Sequence, residues 1–200
     1  MPMCEFIFDF GSPNSYLAWK ALPDLEKRTS AEITYTPVLL GGIFKATGNA
    51  SPVVAFANIK NKLAYEMLEI RRFIKKHKLT QFTMNPHFPV NTLHLMRGAI
   101  VAQREGFLDA YVVAVMHHMW EAPKNLGEPE TIVATLNESG LDGADIAAKS
   151  QTPDVKAALI ANTENAVARG VFGAPSFFVG DELFFGKDRL PDVEDTLLGR

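Results

Sequence analysis

Residues 6–19 read FIFDFGSPNSYLAW, and the order of events in that stretch decides the fold. An apolar run with Phe6, Phe8 and Phe10 alternating against Ile7 and Asp9 reads as a buried strand. Ser12 is a good helix cap and Pro13 suits the first helical position. Tyr16, Trp19, Leu22 and Leu25 then recur at helical spacing to about Arg28. A thiol redox enzyme carries C-x-x-C at such a strand-to-helix turn. Here the two positions are Ser12 and Ser15.

Working outward, AEITYTPV (31–38) is a second strand that stops near Pro37. A strand, a helix and a strand make a βαβ unit with a parallel pair and a right-handed crossover. From 41 to 169 the pattern turns helical. Ile59, Leu63, Ile70 and Ile74 form one stripe, and Val90, Leu93, Ile100 and Val101 another. The clearest runs from Phe107 through Tyr111, Val115 and Met119. Residues 129–139 and 153–168 add weaker helices, with Gly140 and Gly170 as stops. NPHFP (85–89) is a loop. Strands return at PSFFV (175–179) and ELFF (182–185), split by the tight-turn pair Gly180-Asp181. A last helix spans 188–198. The order β-α-β, helices, β-β-α predicts an α/β chain. Residues 1–40 and 170–200 form a thioredoxin-like domain, and 41–169 a helical insertion. An insertion of that length must be a folded subdomain, and the crevice beside the first βα turn is where a ligand belongs.

The 200 residues are 47% hydrophobic, enough for a normal packed core. A net charge of −3 with no long basic run speaks against nucleic acid. No apolar run approaches the roughly 20 residues that span a bilayer. MPMCEF lacks the shape of a signal peptide, so a cytoplasmic protein is expected. Cys4 is the one cysteine, which excludes an intrachain disulfide and reads as a buried structural thiol. The five histidines show no metal-ligand spacing.

FDFGSPNSYLA, LLGGIFKATGN, HFPVNTLHLMRG, VFGAPSFFV and LFFGKDRL, in this order, resemble the 2-hydroxychromene-2-carboxylate isomerases. These are relatives of the kappa-class glutathione transferases, in a DsbA-like branch of the thioredoxin superfamily. The resemblance spans essentially the whole chain. It implies glutathione as cofactor and a homodimer. Ser12 would then be catalytic, an exposed hydroxyl donating to the glutathione thiolate, helped by the helix N-terminus. By its chemistry alone Ser12 is a helix cap, and Ser15 has a minor supporting part. Ala174 and Pro175 would align the glutathione peptide as an added strand does, with the Ala174–Pro175 bond cis. Without the resemblance, Pro175 merely opens a strand.

Asp188 would meet the γ-glutamyl ammonium, though it can also be an ordinary cap. Lys187 stands where the kappa transferases usually carry a small hydroxyl residue, and offers its backbone N–H. Asn49 would bond the peptide and Lys62 a carboxylate, where a plain reading makes Lys62 a solvated surface cation. Lys62 and Tyr65 keep the family spacing, and Glu69 replaces the usual Asp.

The activity implied is glutathione-dependent cis–trans isomerisation of 2-hydroxychromene-2-carboxylate, or a similar aromatic-degradation intermediate, to trans-o-hydroxybenzylidenepyruvate. Rivals are a kappa-like transferase that conjugates glutathione to electrophiles, and a non-catalytic glutathione- or peptide-binding module. For the second substrate, Phe44, Phe56, Trp19 and Trp120 are aromatic candidates to hold a ring, with core or cleft lining the simplest role for the tryptophans. Arg97 interrupts an apolar helix face. An internal ion pair is its plainer reading, and the substrate carboxylate the alternative.

Overall fold

The computed structural model describes residues 2–200. β1 (Met3–Phe8), α1 (Pro13–Thr29) and β2 (Glu32–Pro37) form the expected βαβ unit, with β1 and β2 parallel and Phe6 opposite Tyr35. Ser12 caps α1 from an extended backbone and accepts the Ser15 N–H at 3.1 Å. Pro13 follows at the first turn, where its missing N–H costs nothing. The helix ends where Ser30 turns left-handed and returns its N–H to Glu26.

At the other end of the chain lie β3 (Ser176–Val179), β4 (Glu182–Phe185) and α10 (Leu190–Leu197). The strand order is β2-β1-β3-β4, with β3 antiparallel to both neighbours. Strand β3 begins at Ser176 and not at Pro175, which has no N–H for the ladder. The Ala174–Pro175 bond is cis, as is Phe88–Pro89. The final helix starts two residues later than its periodicity indicates. A single 3-10 turn at Lys187–Arg189 comes first, and Pro191 then opens α10.

Between the two halves of the sheet run α2 (Leu40–Thr47), α3 (Pro52–Ala55), α4 (Lys62–His77), α5 (Leu93–Glu105), α6 (Leu108–Trp120), α7 (Pro129–Glu138), α8 (Gly143–Lys149) and α9 (Pro153–Ala168). Two sequence stripes overran their helices. Ile59 precedes α4 and is exposed, cut off by Asn61 in a left-handed conformation. Val90 lies outside α5, in the loop that Pro89 opens.

One apolar core joins the sheet to the helices. Phe6 stacks on Phe8 and on Phe177, Phe8 meets Phe10 edge-on, and Phe10 meets Tyr111 of α6. Ile7 points to the opposite face, where it packs with Val38, Ile43, Ala166, Val171 and Phe178. The apolar excess of 89–120 goes into the first core. Within it Val113 is the large apolar side chain left exposed. Exposed apolar residues gather instead at Val53, Val54, Ile59 and Tyr65. Cys4 is fully buried on β1, and burial with the neighbouring Glu5 charge pushes its thiol up to about 12. No helix among the described residues is long and apolar enough to cross a membrane.

Candidate active site

The turn from β1 into α1 is held from below by Asp9, which is 1% exposed. One carboxylate oxygen accepts the Gly11 N–H at 2.8 Å and the Thr92 hydroxyl at 2.7 Å. The other accepts the Leu40 N–H at 2.7 Å. Asp9 thus clamps the Ser12 turn, the start of α2 and the start of α5 to one point. Burial lifts its carboxyl above the usual carboxylate range, against those hydrogen bonds, which favour the ionised form. The sequence pattern marks Asp9 only as alternating with the phenylalanines of a buried strand. Its partners lie up to 83 positions away, and no local pattern marks them.

Ser12 is not the exposed hydroxyl expected. It is 5% exposed, and its Oγ donates to the Ala174 carbonyl at 3.0 Å while accepting from Ser15. Capping and a reach across the crevice are therefore one arrangement. Its backbone N–H donates to the Asp9 carbonyl. Asn14 adds a buried Oδ1 that no group among the described residues satisfies. A buried acceptor without a donor beside a helix N-terminus fits a ligand that brings its own N–H.

The segment before β3 has each carbonyl engaged. Asn49 Nδ2 donates to Phe172 O, Ser176 Oγ to Gly173 O, Ser12 Oγ to Ala174 O and the Gly186 N–H to Pro175 O, all at 2.8–3.0 Å. A Cβ at Gly173 would meet the exposed Phe185 ring at 2.8 Å, so a side chain there would push that ring aside. These bonds bring Ser12, Asn49, Ala174 and Pro175 together and lead through Gly186 to Lys187 and Asp188.

Lys187 is 3% exposed, and its Nζ contacts both Asp188 oxygens at 2.8 and 2.6 Å, 5.2 Å from the centre of the Phe73 ring. Asp188 caps no helix. The pair borders a cleft of about 370 Å³ between α1, α4 and α10, which Glu69, Arg72 and Phe73 also line. Lys62 stands two turns before Glu69 on α4, paired with Glu66 at 2.7 Å and 4.9 Å from the Phe56 ring centre.

A second cleft, of about 360 Å³, opens between α2, α5 and α9. Arg97 lines it and, among the described residues, forms no ion pair. Its buried Nε has no acceptor. The internal ion pair expected for Arg97 is therefore corrected. The aromatic candidates do not gather around it. Phe44 and Trp19 are half-buried and stand outside its lining. Trp120 is fully buried with its Nε1–H donating to Phe10 O at 2.8 Å, so it serves the core.

Residues 3–198 match the DSBA-like thioredoxin domain. The 2-hydroxychromene-2-carboxylate isomerase of Sphingobium xenophagum is 30% identical over 194 residues, 97% of each chain. Glutathione S-transferase kappa 1 of Homo sapiens is 26% identical, over 93% of this chain and 86% of its own. A solved structure of a 2-hydroxychromene-2-carboxylate isomerase superposes with a TM-score of 0.82 at 26% identity, covering 98% of this chain and 95% of that one. Agreement of this extent takes in the sheet and every helix between its halves, and the chain belongs to the DSBA-like thioredoxin domain family, in the group that holds the 2-hydroxychromene-2-carboxylate isomerases.

Proposed function

We propose that the chain is a glutathione-dependent cis–trans isomerase of 2-hydroxychromene-2-carboxylate, or of a similar aromatic-degradation intermediate. The observation that carries this reading is Ser12 at the crevice, hydrogen-bonded to Ala174, in the place where a thiol enzyme has its first cysteine. With no protein sulfur there, a soft nucleophile must come from outside. Relatives that are named kappa glutathione transferases point to glutathione.

The residues present fit such a ligand. The α1 N-terminus and the Ser12 hydroxyl favour an anionic sulfur. Asn14 Oδ1 is an acceptor in need of an N–H. Ala174 and Pro175 present backbone beside it, with Asn49 fixing their approach. Asp188 offers a carboxylate for the γ-glutamyl ammonium once released from Lys187, Lys187 its backbone N–H, and Lys62 a cation for the opposite carboxylate.

When bound, glutathione would supply a thiolate for reversible conjugate addition to the cis α-keto acid, so that the former C=C bond could rotate before the thiol is eliminated. That acid forms once the cyclic hemiketal opens, its ring C–O bond breaking to a ketone and a phenol. Ser12 stabilises the thiolate by turning its proton from Ala174 toward the sulfur. The helix block keeps water from the conjugated system.

Single-reaction NMR of 2-hydroxychromene-2-carboxylate with substoichiometric glutathione tests the proposal. Full conversion to trans-o-hydroxybenzylidenepyruvate with free thiol unchanged supports it. Loss of thiol equal to product makes the chain a kappa-like transferase instead. We also propose a homodimer acting in the cytoplasm. The exposed apolar side chains from Val53 to Tyr65 offer contact surface, and a lone buried cysteine suits a reducing compartment.

A further inference from the structure

Arg97 presents a cation to a cleft that gives it no counterion. Its Nε is buried without an acceptor, and no acid pairs with it among the described residues. The walls around it are apolar, with Leu93 on α5 and Leu159 and Ile160 on α9. Lys45 and Lys156 also face the cleft, and Glu164 is the one acid in its lining, so the space is net positive. A guanidinium left unpaired at an apolar surface is costly unless an anion joins it. Its planar fork fits a carboxylate in a two-point contact. Apolar walls beside the guanidinium suit a flat organic acid better than a small hydrophilic anion such as phosphate.

The cleft is tied to the Ser12 turn through Asp9. Leu40 and Thr92 hydrogen-bond the Asp9 carboxylate, and their chain neighbours Leu39 and Leu93 are cleft wall. We infer that this cleft seats an aromatic monocarboxylate, with Arg97 holding the carboxylate. The inference deepens the isomerase reading and rests on it for the claim that this acid is the substrate. The chemistry of the cleft itself does not depend on glutathione.

The test is a calorimetric titration of the glutathione-free chain with trans-cinnamate and with cinnamyl alcohol, its uncharged analogue. Cinnamate should bind about tenfold or more tightly than the alcohol, the range of a hydrogen-bonded charge contact. Arg97→Leu should abolish that preference and Arg97→Lys retain part of it. Ala46→Trp, at an exposed position of the lining on α2, should weaken both ligands by filling the space. That variant also decides the matter should Arg97→Leu not fold. Glutathione titrated separately reports on the isomerase reading, so the two can fail independently. Cinnamate that does not bind, binds no better than the alcohol, is indifferent to Ala46→Trp, or binds Arg97→Leu as well as the unaltered chain overturns the inference.

Discussion

Ser12 Oγ donates to the Ala174 carbonyl at 3.0 Å, joining the start of α1 to the strand entrance 162 residues later. The same oxygen accepts the Ser15 N–H, so one hydroxyl fixes the helix cap and the width of the crevice mouth. A thiolate can take the Ser12 proton only by replacing Ala174. The exchange gives up a neutral hydrogen bond of about 1 kcal/mol for a charged one of about 1.5–3 kcal/mol.

Ser12→Ala should therefore weaken thiolate stabilisation by the difference, about 0.5–2 kcal/mol or roughly 2–30-fold. The bound glutathione thiol should titrate higher by a matching amount, followed by thiolate absorbance. Loss of the cap should lower fold stability by about 0.5–2 kcal/mol as well. A variant with lowered stability but an unshifted thiol would leave Ser12 a cap alone.

The Lys187–Asp188 contact makes an opposite-direction prediction. Asp188 is 55% exposed at its side chain, yet Lys187 reaches both its oxygens. Lys187→Met keeps the buried stem against Phe73 and releases the carboxylate. Glutathione should then bind more tightly, by up to about fivefold, the scale of a partly exposed ion pair. N-acetylated glutathione, whose amine is no longer cationic, should gain nothing. Equal gains for both ligands would show that Asp188 does not meet the ligand's amine, and weaker glutathione binding would assign the ligand contact to Lys187.

Gly98 sits mid-helix in α5, where glycine ordinarily costs about 1 kcal/mol relative to alanine. The reason lies on α6. A Cβ at Gly98 would stand 2.2 Å from the Tyr111 hydroxyl, which is buried and donates to Leu95 O at 2.9 Å. Gly98→Ala should destabilise by about 2 kcal/mol or more, through overpacking and a lost buried hydrogen bond. Urea unfolding measures it. Tyr111→Phe in the same chain should recover part of the loss, because the nearest clashing atom is gone. A stabilised Gly98→Ala would show that α5 and α6 separate at little cost.

What the sequence reveals, and what it hides, follows from the range of each interaction. Ser12, Pro13, the Gly180-Asp181 turn and α9 act through neighbours within a few residues, and the local pattern exposes them. The Ile59 and Val90 stripes failed because periodicity continues on paper where Asn61 and Pro89 redirect the chain. Site partnerships hide more completely. That Lys187 turns inward to Phe73, that Trp120 serves Phe10, or that Arg97 has no acid partner among the described residues depends on which helices meet. The sequence resemblance named Ser12, Asn49, Lys62, Ala174, Pro175, Lys187 and Asp188; in the fold Ser12 bonds Ala174, Asn49 bonds the nearby Phe172, Lys187 pairs with Asp188, and Lys62 pairs with Glu66 on α4. It passed over Asp9, whose three partners lie on three separate segments.

Asp9 also makes stability depend on pH with a definite sign. Burial raises its folded carboxyl above the ordinary value of 3.8. The folded chain thus holds this proton more tightly than the unfolded chain, and stability falls as pH rises. The contribution is fully present below 3.8 and is lost as pH climbs through the higher folded value. The protonated side chain can keep its contacts, because the Thr92 hydroxyl can turn from donor to acceptor. Asp9→Asn removes the titration but points an amide N–H₂ at one of three converging donors, at a cost of about 1–3 kcal/mol. Urea unfolding of both chains, from below 3.8 up to neutrality, separates these effects. The original chain should be the more stable at the acid end, and its advantage should shrink with rising pH, since the remaining carboxyl groups titrate alike in both. An advantage that grows with pH would mean that the three hydrogen bonds outweigh burial, and that Asp9 works as a buried anion beneath Ser12.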